Sequence, residues 1–468
     1  MLIRTAEIDQ NVIADVRIEG AQVVAVGNGF KPGPNELVLD ASGQRLLSGL
    51  HDHHIHLLSL AASLDSVPCG PPHVLSAQDL MQRLRAHAAD STDDQDWVRG
   101  VGYHESVAGD IDRDWLDLAV TSKPVRIQHR SGRLWIFNSR GLERLASSLS
   151  RSNQAPLQEI EGRLTGRLYD ADDWLRERIG GQFPSLRRVS HMLASYGVTG
   201  VTDTTPHNTL HQYRYFMQSA ARGELLQRMV LMGDASLDEA EDIEPIRRGA
   251  TKVHLHESTL PDFDAFRELI VRSHAAGRPV AVHCVTQTEL VFTAAAFEAA
   301  GSRHGDRIEH ASIAPPDTLA LLASQGLRVV TQPNFIRERG DVYATDVPVD
   351  ERRWLYRGRG FLDAGIPLAA GTDAPYGEPN PWLAMQAAVD RRTSAGQTLG
   401  ANEALTPEQA LDLFGGDPLS PGRGQARITP GMRADLCLLD RTWSIARADL
   451  AEVRIQATVR NGELIYAR

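Results

Sequence analysis

Hydrophobic positions along the chain follow two different rhythms. Residues 1 to about 46 read as short strands: Val16 and Ile18 are separated from Val23, Val24 and Val26 by the turn signal Glu19-Gly20. A turn at Lys31-Pro32-Gly33-Pro34 leads into a further strand, Glu36 to Leu39. The far end is patterned alike. Ala434 to Leu439 and Val453 to Tyr466 are strand-like, with turns at Pro430-Gly431 and Asn461-Gly462. Two β-rich ends around a different middle predict that residues 1–46 and 416–468 together form one small β domain.

Between them, residues 47–415 alternate short apolar runs with helical stretches such as Phe263 to Ala276 and Glu289 to Ala300. The strand candidates are Arg45 to Leu50, Val198 to Asp203, Gln227 to Met232, Lys252 to His256, Pro279 to His283, Arg307 to His310, Arg328 to Gln332 and Ile366 to Gly371. Strands that alternate with helices predict a parallel sheet, and this number of them predicts a closed one. The expected fold class is therefore α/β: a (β/α)8 TIM-like barrel with a small β-sandwich domain built from both termini. The stretch of about 57–197 is too long for one crossover helix and reads as an insertion with its own structure, including a strand at Pro124 to His129.

Composition changes this picture little. The chain has 468 residues, 42% hydrophobic and 23% charged, which is ordinary for a soluble protein and too long for a single small core. A net charge of -11 argues against nucleic-acid or anionic-membrane partners. No apolar run is long enough to span a bilayer, and the first residues carry acids where a signal peptide has an apolar centre. Cys69, Cys284 and Cys437 are far apart and form no CxxC pair, which argues against a disulfide framework or a thiolate zinc knuckle and fits a reducing compartment. The expected location is the cytoplasm.

The candidate chemistry lies at strand ends. His54 and His56 are two apart, share a face of an extended chain, and follow an apolar run. Neutral imidazoles at that spacing can grip one divalent cation, and Asp52 lies one step back on the same face. His283 ends Pro279-Val280-Ala281-Val282, His310 ends Arg307-Ile308-Glu309, and Asp373 follows Ala369-Ala370-Gly371-Thr372. A single histidine on a strand is usually a core residue. Four histidines and an aspartate at strand ends of one chain point to metal at the C-terminal mouth of the barrel.

These elements, in this order, resemble the amidohydrolase superfamily. The resemblance rests on Gly49 to His56, Thr251-Lys252-Val253, His283, Arg307 to Ala311 and Gly371 to Pro375. It extends to the branch of N-substituted formamide deformylases through Trp97 to Tyr103, Ser131-Gly132, Asn138-Ser139, Gly197 to Asp203 and Pro430 to Leu436. It implies hydrolysis of a carbon–nitrogen bond other than a peptide bond in a small molecule, with one or two divalent ions per chain, zinc first among them. His54 and His56 would bind the more buried ion, His283 and His310 a second, and Lys252, N6-carboxylated, would bridge the two. Asp373 would bind the first ion and carry the proton. Deaminase, cyclic amidase and lactonase chemistry are served by the same ligand set, and a metal-free scaffold is the remote alternative. Many such barrels form homo-oligomers.

Several positions depart from that pattern. Where the branch carries a histidine after Ser-Gly, this chain has Arg133, which predicts a bidentate contact to an acidic group on the substrate. Tyr103, His129 and Trp382 are expected to line the pocket, with a plain packing role for Trp382 as the alternative. His51 and His53 alternate away from the metal face, and Cys284 turns to the outside of its strand. His254 and His256 share a face with Lys252 and could compete as ligands.

Overall fold

The computed structural model describes residues 1–71, 73–90, 97–147, 156–179 and 183–468. It divides into two compact units, Met1–Leu57 with Ser185–Arg468, and Leu58–Pro184. Among the described residues no helix is long and apolar enough to cross a membrane.

The larger unit contains an eight-stranded parallel sheet. In chain order its strands are Leu50–Ile55, Val198–Asp203, Arg228–Gly233, Ile246–His254, Val280–Cys284, Arg307–His310, Arg328–Thr331 and Leu368–Ala370. Each pairs in parallel with the next in sequence order. Nearly every residue of these strands is buried, the mark of a parallel sheet covered on both faces. Helices Phe263–Ala275 and Gln287–Ala300 start with side-chain caps from Asp262 and Thr286, the latter a full capping box with Glu289.

Strands one and eight close the barrel through their C-terminal extensions. Asp373 N donates to His54 O at 2.8 Å, and His56 N donates to Ala374 O at 2.9 Å. Asp52 adds a side-chain clasp, its carboxylate accepting from Thr372 N (3.0 Å), Thr372 Oγ1 (2.6 Å) and His54 N (3.1 Å). The approach is close enough to require glycine at 371, where a Cβ would lie 2.3 Å from His54 N.

One expectation is corrected here. Leu46–Ser48 was expected to belong to the first barrel strand; it pairs instead with Leu436–Leu439 in a separate sheet. The barrel strand begins at Leu50. Gly49 joins the two because a side chain there would collide with Thr199, whose Oγ1 would be 2.2 Å from the added Cβ.

The chain ends form the sandwich. One sheet has Leu2–Asp9, Val12–Glu19, Gln22–Gly27 and Val38–Asp40; the other has Leu46–Ser48, Leu436–Leu439, Ile455–Arg460 and Glu463–Ala467. A single apolar core joins them, with Ile3, Val16 and Ile18 from the first sheet packed with Leu436, Leu438 and Val459 from the second. The insertion unit is built on a six-stranded mixed sheet that includes Val98–Tyr103, Val125–His129 and Leu134–Phe137. Its chain leaves at Pro184, and helix Arg187–Ser195 belongs with the barrel unit.

Candidate metal centre

Alternation along the first barrel strand sorts its histidines. His51 and His53 turn outward, where His51 Nε2 meets Thr202 Oγ1 at 2.8 Å and His53 Nε2 meets Gly415 O at 3.1 Å. His54 and His56 turn the other way and meet Asp373. The facing atoms of His54, His56 and Asp373 all lie within 4.8 Å of one another, with Asp373 Oδ1 3.3 Å from His54 Nε2 and 3.1 Å from His56 Nε2.

The other ring nitrogens are already engaged. His54 Nδ1 lies 2.6 Å from Glu309 Oε2, an acceptor, so this nitrogen carries the proton. His56 Nδ1 lies 2.9 Å from Thr205 Oγ1. That leaves both Nε2 atoms to face the buried Asp373 Oδ1. Lone pairs converging on one point from two imidazoles and a carboxylate are what a divalent cation relieves. The residues therefore fit a metal ion.

Electrostatics agree. Burial works to lower His54, but the charges of Glu309 and Asp373 on its two sides outweigh it and hold the imidazole above its ordinary value. Burial likewise works to raise Asp373, and the charge of His54, with contacts to both imidazoles, holds it well below the usual carboxylate range. A spot that favours cationic imidazole between two carboxylates is a spot that favours a cation.

Glu309 is the centre of the supporting shell, and sequence reasoning gave it no role. Its other oxygen accepts from Arg307 Nε at 2.6 Å, and Arg307 Nη2 donates to His53 O at 3.0 Å. Lys252 Nζ lies 4.0 Å away, buried and without a hydrogen-bond partner. Burial lowers its amine to about 8. A carboxylate one residue before a strand-end histidine was the available signal, because an acid inside an apolar strand must have a buried partner.

His310 and His283 continue the imidazole wall. The His310 ring is centred 4.7 Å from that of His54 and 4.4 Å from that of His283. Alternation would send His310 and Glu309 to opposite sides of their strand. A left-handed backbone at His310, φ 68°, turns the end of the strand and brings the ring into the site. Its Nδ1 lies 2.6 Å from Gln332 Oε1, which fixes the tautomer with Nε2 free. Asp373 is also left-handed, at φ 57°. Strain of this kind collects where geometry serves function.

The remaining expected residues are placed as follows. His254 lies directly across from His283 in the sheet register, its ring centred 4.0 Å from His283 and 4.5 Å from His256. Cys284 is buried against Thr293 and Glu289, its thiol pushed up to about 12 by burial, which suits packing rather than nucleophilic attack. Trp382 is 1% exposed and donates from Nε1 to Tyr196 O at 3.0 Å, so it packs the start of helix Pro381–Asp390. Within the insertion unit, Tyr103 is buried with its hydroxyl on Gly109 O at 2.6 Å, and His129 contacts Ser131 and Glu105. Arg133 makes its bidentate pair with Asp170, both bonds 2.7 Å, so the contact expected for an acidic substrate is made within the chain.

The buried imidazoles carry a pH signature. Burial pushes His53 down to about 3 from an ordinary 6.5. The unfolded chain then binds more protons than the folded one below pH 6.5, so the stability from keeping this ring neutral is present above 6.5 and lost as pH falls toward 3. Thermal midpoints are expected to fall as the pH drops from 7 to 5, and His53→Asn to flatten that slope. An unchanged slope would show that other groups control acid unfolding.

Residues 37–466 match the model of the Amidohydrolase family, and the chain belongs to that family and is an amidohydrolase enzyme. It is 25% identical to the N-substituted formamide deformylase of Arthrobacter pascens over an alignment covering 100% of this chain and 97% of that one. Its fold is similar to that of an uncharacterized metal-dependent hydrolase from Pyrococcus horikoshii OT3, with a TM-score of 0.74, 21% identity, and 94% and 96% of the two chains covered. It is also similar to a variant of atrazine chlorohydrolase TrzN from Arthrobacter aurescens TC1 complexed with zinc and atraton, with a TM-score of 0.58, 15% identity, and 100% and 95% covered.

Proposed function

We propose that this chain is a metal-dependent hydrolase that cleaves carbon–nitrogen bonds other than peptide bonds in small amide, N-formyl or N-acyl compounds. The observation that carries this reading is the convergence of His54 Nε2, His56 Nε2 and Asp373 Oδ1 on one buried point. These three residues would hold the cation, and their nitrogen and oxygen donors suit zinc. A divalent ion bound there supplies Lewis acidity, polarising a carbonyl and lowering the pKa of water to near neutrality.

The protein's own groups supply the rest. Glu309 and Thr205 orient the two imidazoles, as outer partners do in metal sites. Asp373 is ionised at working pH, so Oδ can accept the proton of the attacking water and pass it to the leaving nitrogen. His283, His310 and Lys252 would hold a second ion. There a neutral Lys252 amine would attack CO2, forming an N–C bond and losing one N–H proton, to give a carbamate whose anionic oxygens could serve as metal donors. Its lowered pKa and unpartnered Nζ support that step.

Metal analysis of wild type and Lys252→Ala, purified without chelator, tests the reading. About two ions per chain falling to about one in the variant is expected; an unchanged count retires the carbamate, and no metal at all retires the hydrolase. A panel of N-formyl, N-acyl, cyclic imide and aminopurine compounds then separates amide hydrolysis from cyclic amidase and deaminase activity.

A further inference from the structure

The structure offers a different arginine from the one the sequence singled out. Arg339 lies on helix Asn334–Asp346, which follows the seventh barrel strand. Its guanidinium carbon sits 3.9 Å from the centre of the Phe335 ring, and Phe335 is itself packed in a buried apolar cluster. Its Nη2 donates to Tyr376 O at 2.7 Å. Tyr376 belongs to the turn that follows Asp373, with Tyr376 N donating to Asp373 O at 2.8 Å. The Tyr376 ring meets the His56 ring edge-on, with centres 5.5 Å apart. Arg339 is thus tied by two short links to a candidate metal ligand and proton carrier.

Its charge is not spent on a local ion pair. Among the described residues no carboxylate oxygen lies within 4.0 Å of Arg339. The adjacent acid, Glu338, feels the Arg339 charge but makes its hydrogen bonds with Asn334 Nδ2 and Glu378 N. Stacking on Phe335, the Tyr376 carbonyl on Nη2 and the Tyr343 hydroxyl engage part of the guanidinium, and its remaining N–H donors are available at a half-buried position. A guanidinium held flat by an aromatic ring loses little freedom on binding and matches a carboxylate with two parallel bonds.

Building on the amide-hydrolase reading, we propose that Arg339 binds a carboxylate carried by the substrate, so that the preferred substrates are N-acylated small acids. The acid group would dock on the guanidinium while the amide lies over His54, His56 and Asp373.

The test uses a matched pair, N-acetylglycine and N-acetylglycinamide, which differ only in the negative charge. Binding of each to metal-loaded full-length protein is measured by calorimetry, and turnover is followed in the same samples. Wild type is expected to bind the acid at least about tenfold more tightly than the amide. Arg339→Gln is expected to bring the acid down to the affinity of the amide, and Arg339→Lys, which keeps charge without the fork, to fall between. Metal content and thermal midpoint are read for each variant, and the lysine variant decides the matter if the glutamine variant melts early. Equal or absent binding of the pair in wild type overturns the proposal. So does a preference that survives both substitutions, since the acid would then be reading the metal alone. If the discrimination is present and lost on substitution but neither compound is hydrolysed, acid recognition by Arg339 stands and the amide-hydrolase reading falls.

Discussion

Asp373→Asn is expected to lower kcat on an amide substrate by about 100- to 10,000-fold, the range for removing a positioned proton carrier. The amide side chain preserves shape and still offers an oxygen to a cation, but it cannot take up a proton. Its neighbours make the exchange costly to the reaction and mild to the fold. Asp373 Oδ1 meets only the two imidazole Nε2 atoms, which an amide oxygen can also face, and the barrel seam is closed by backbone Asp373 N to His54 O, which the substitution leaves intact. Steady-state kinetics with metal content measured on the same preparation checks this. Loss of kcat with metal retained assigns the proton role. Loss of both in parallel reduces Asp373 to a ligand, and full activity removes it from the mechanism.

Glu309→Ala is expected to be the most disruptive single change for stability, by about 3–5 kcal/mol, because it leaves a buried arginine without its counter-charge. Arg307 is 2% exposed and Glu309 0%, so neither can recover its solvation by turning outward. The same change frees His54 Nδ1, the nitrogen whose bond fixes the tautomer. Removing such a partner typically weakens metal affinity about 10- to 100-fold. Denaturant midpoints and chelator competition read the two effects separately. Glu309→Gln, which restores one acceptor, is expected to recover much of the stability and less of the metal affinity. Equal recovery of both would mean that Glu309 acts on the metal only through the fold.

The sequence was informative wherever function coincides with strand periodicity. Apolar runs ending in His or Asp located most of the barrel strands, although the fourth runs Ile246–His254 where Lys252 was expected to open it; period-two alternation separated His54 and His56 from His51 and His53 without any coordinates. The β-rich ends announced a joint domain, and it exists as two facing sheets. The places where this reading failed have physical causes. Leu46-Leu47-Ser48 is as apolar as a barrel strand, and nothing local tells which sheet it joins; Gly49, pressed against Thr199, makes the break. Arg133 had no visible partner because Asp170 is 37 residues further on.

What the chain determined by itself was the kind of chemistry: which side chains stand at strand ends, and that they are the nitrogen and oxygen donors a divalent cation takes. What only the tertiary structure decided was which of them face one another. His54 and Asp373 are more than 300 residues apart and meet because the first and last strands share a seam clasped by Asp52. His310 joins them through a left-handed backbone that alternation does not foresee. Glu309 and Arg339 acquire meaning only from neighbours brought by other strands and turns. Local sequence sets propensity and periodicity over a few residues, whereas a metal site is a convergence of lone pairs from distant segments. That convergence is set by barrel closure.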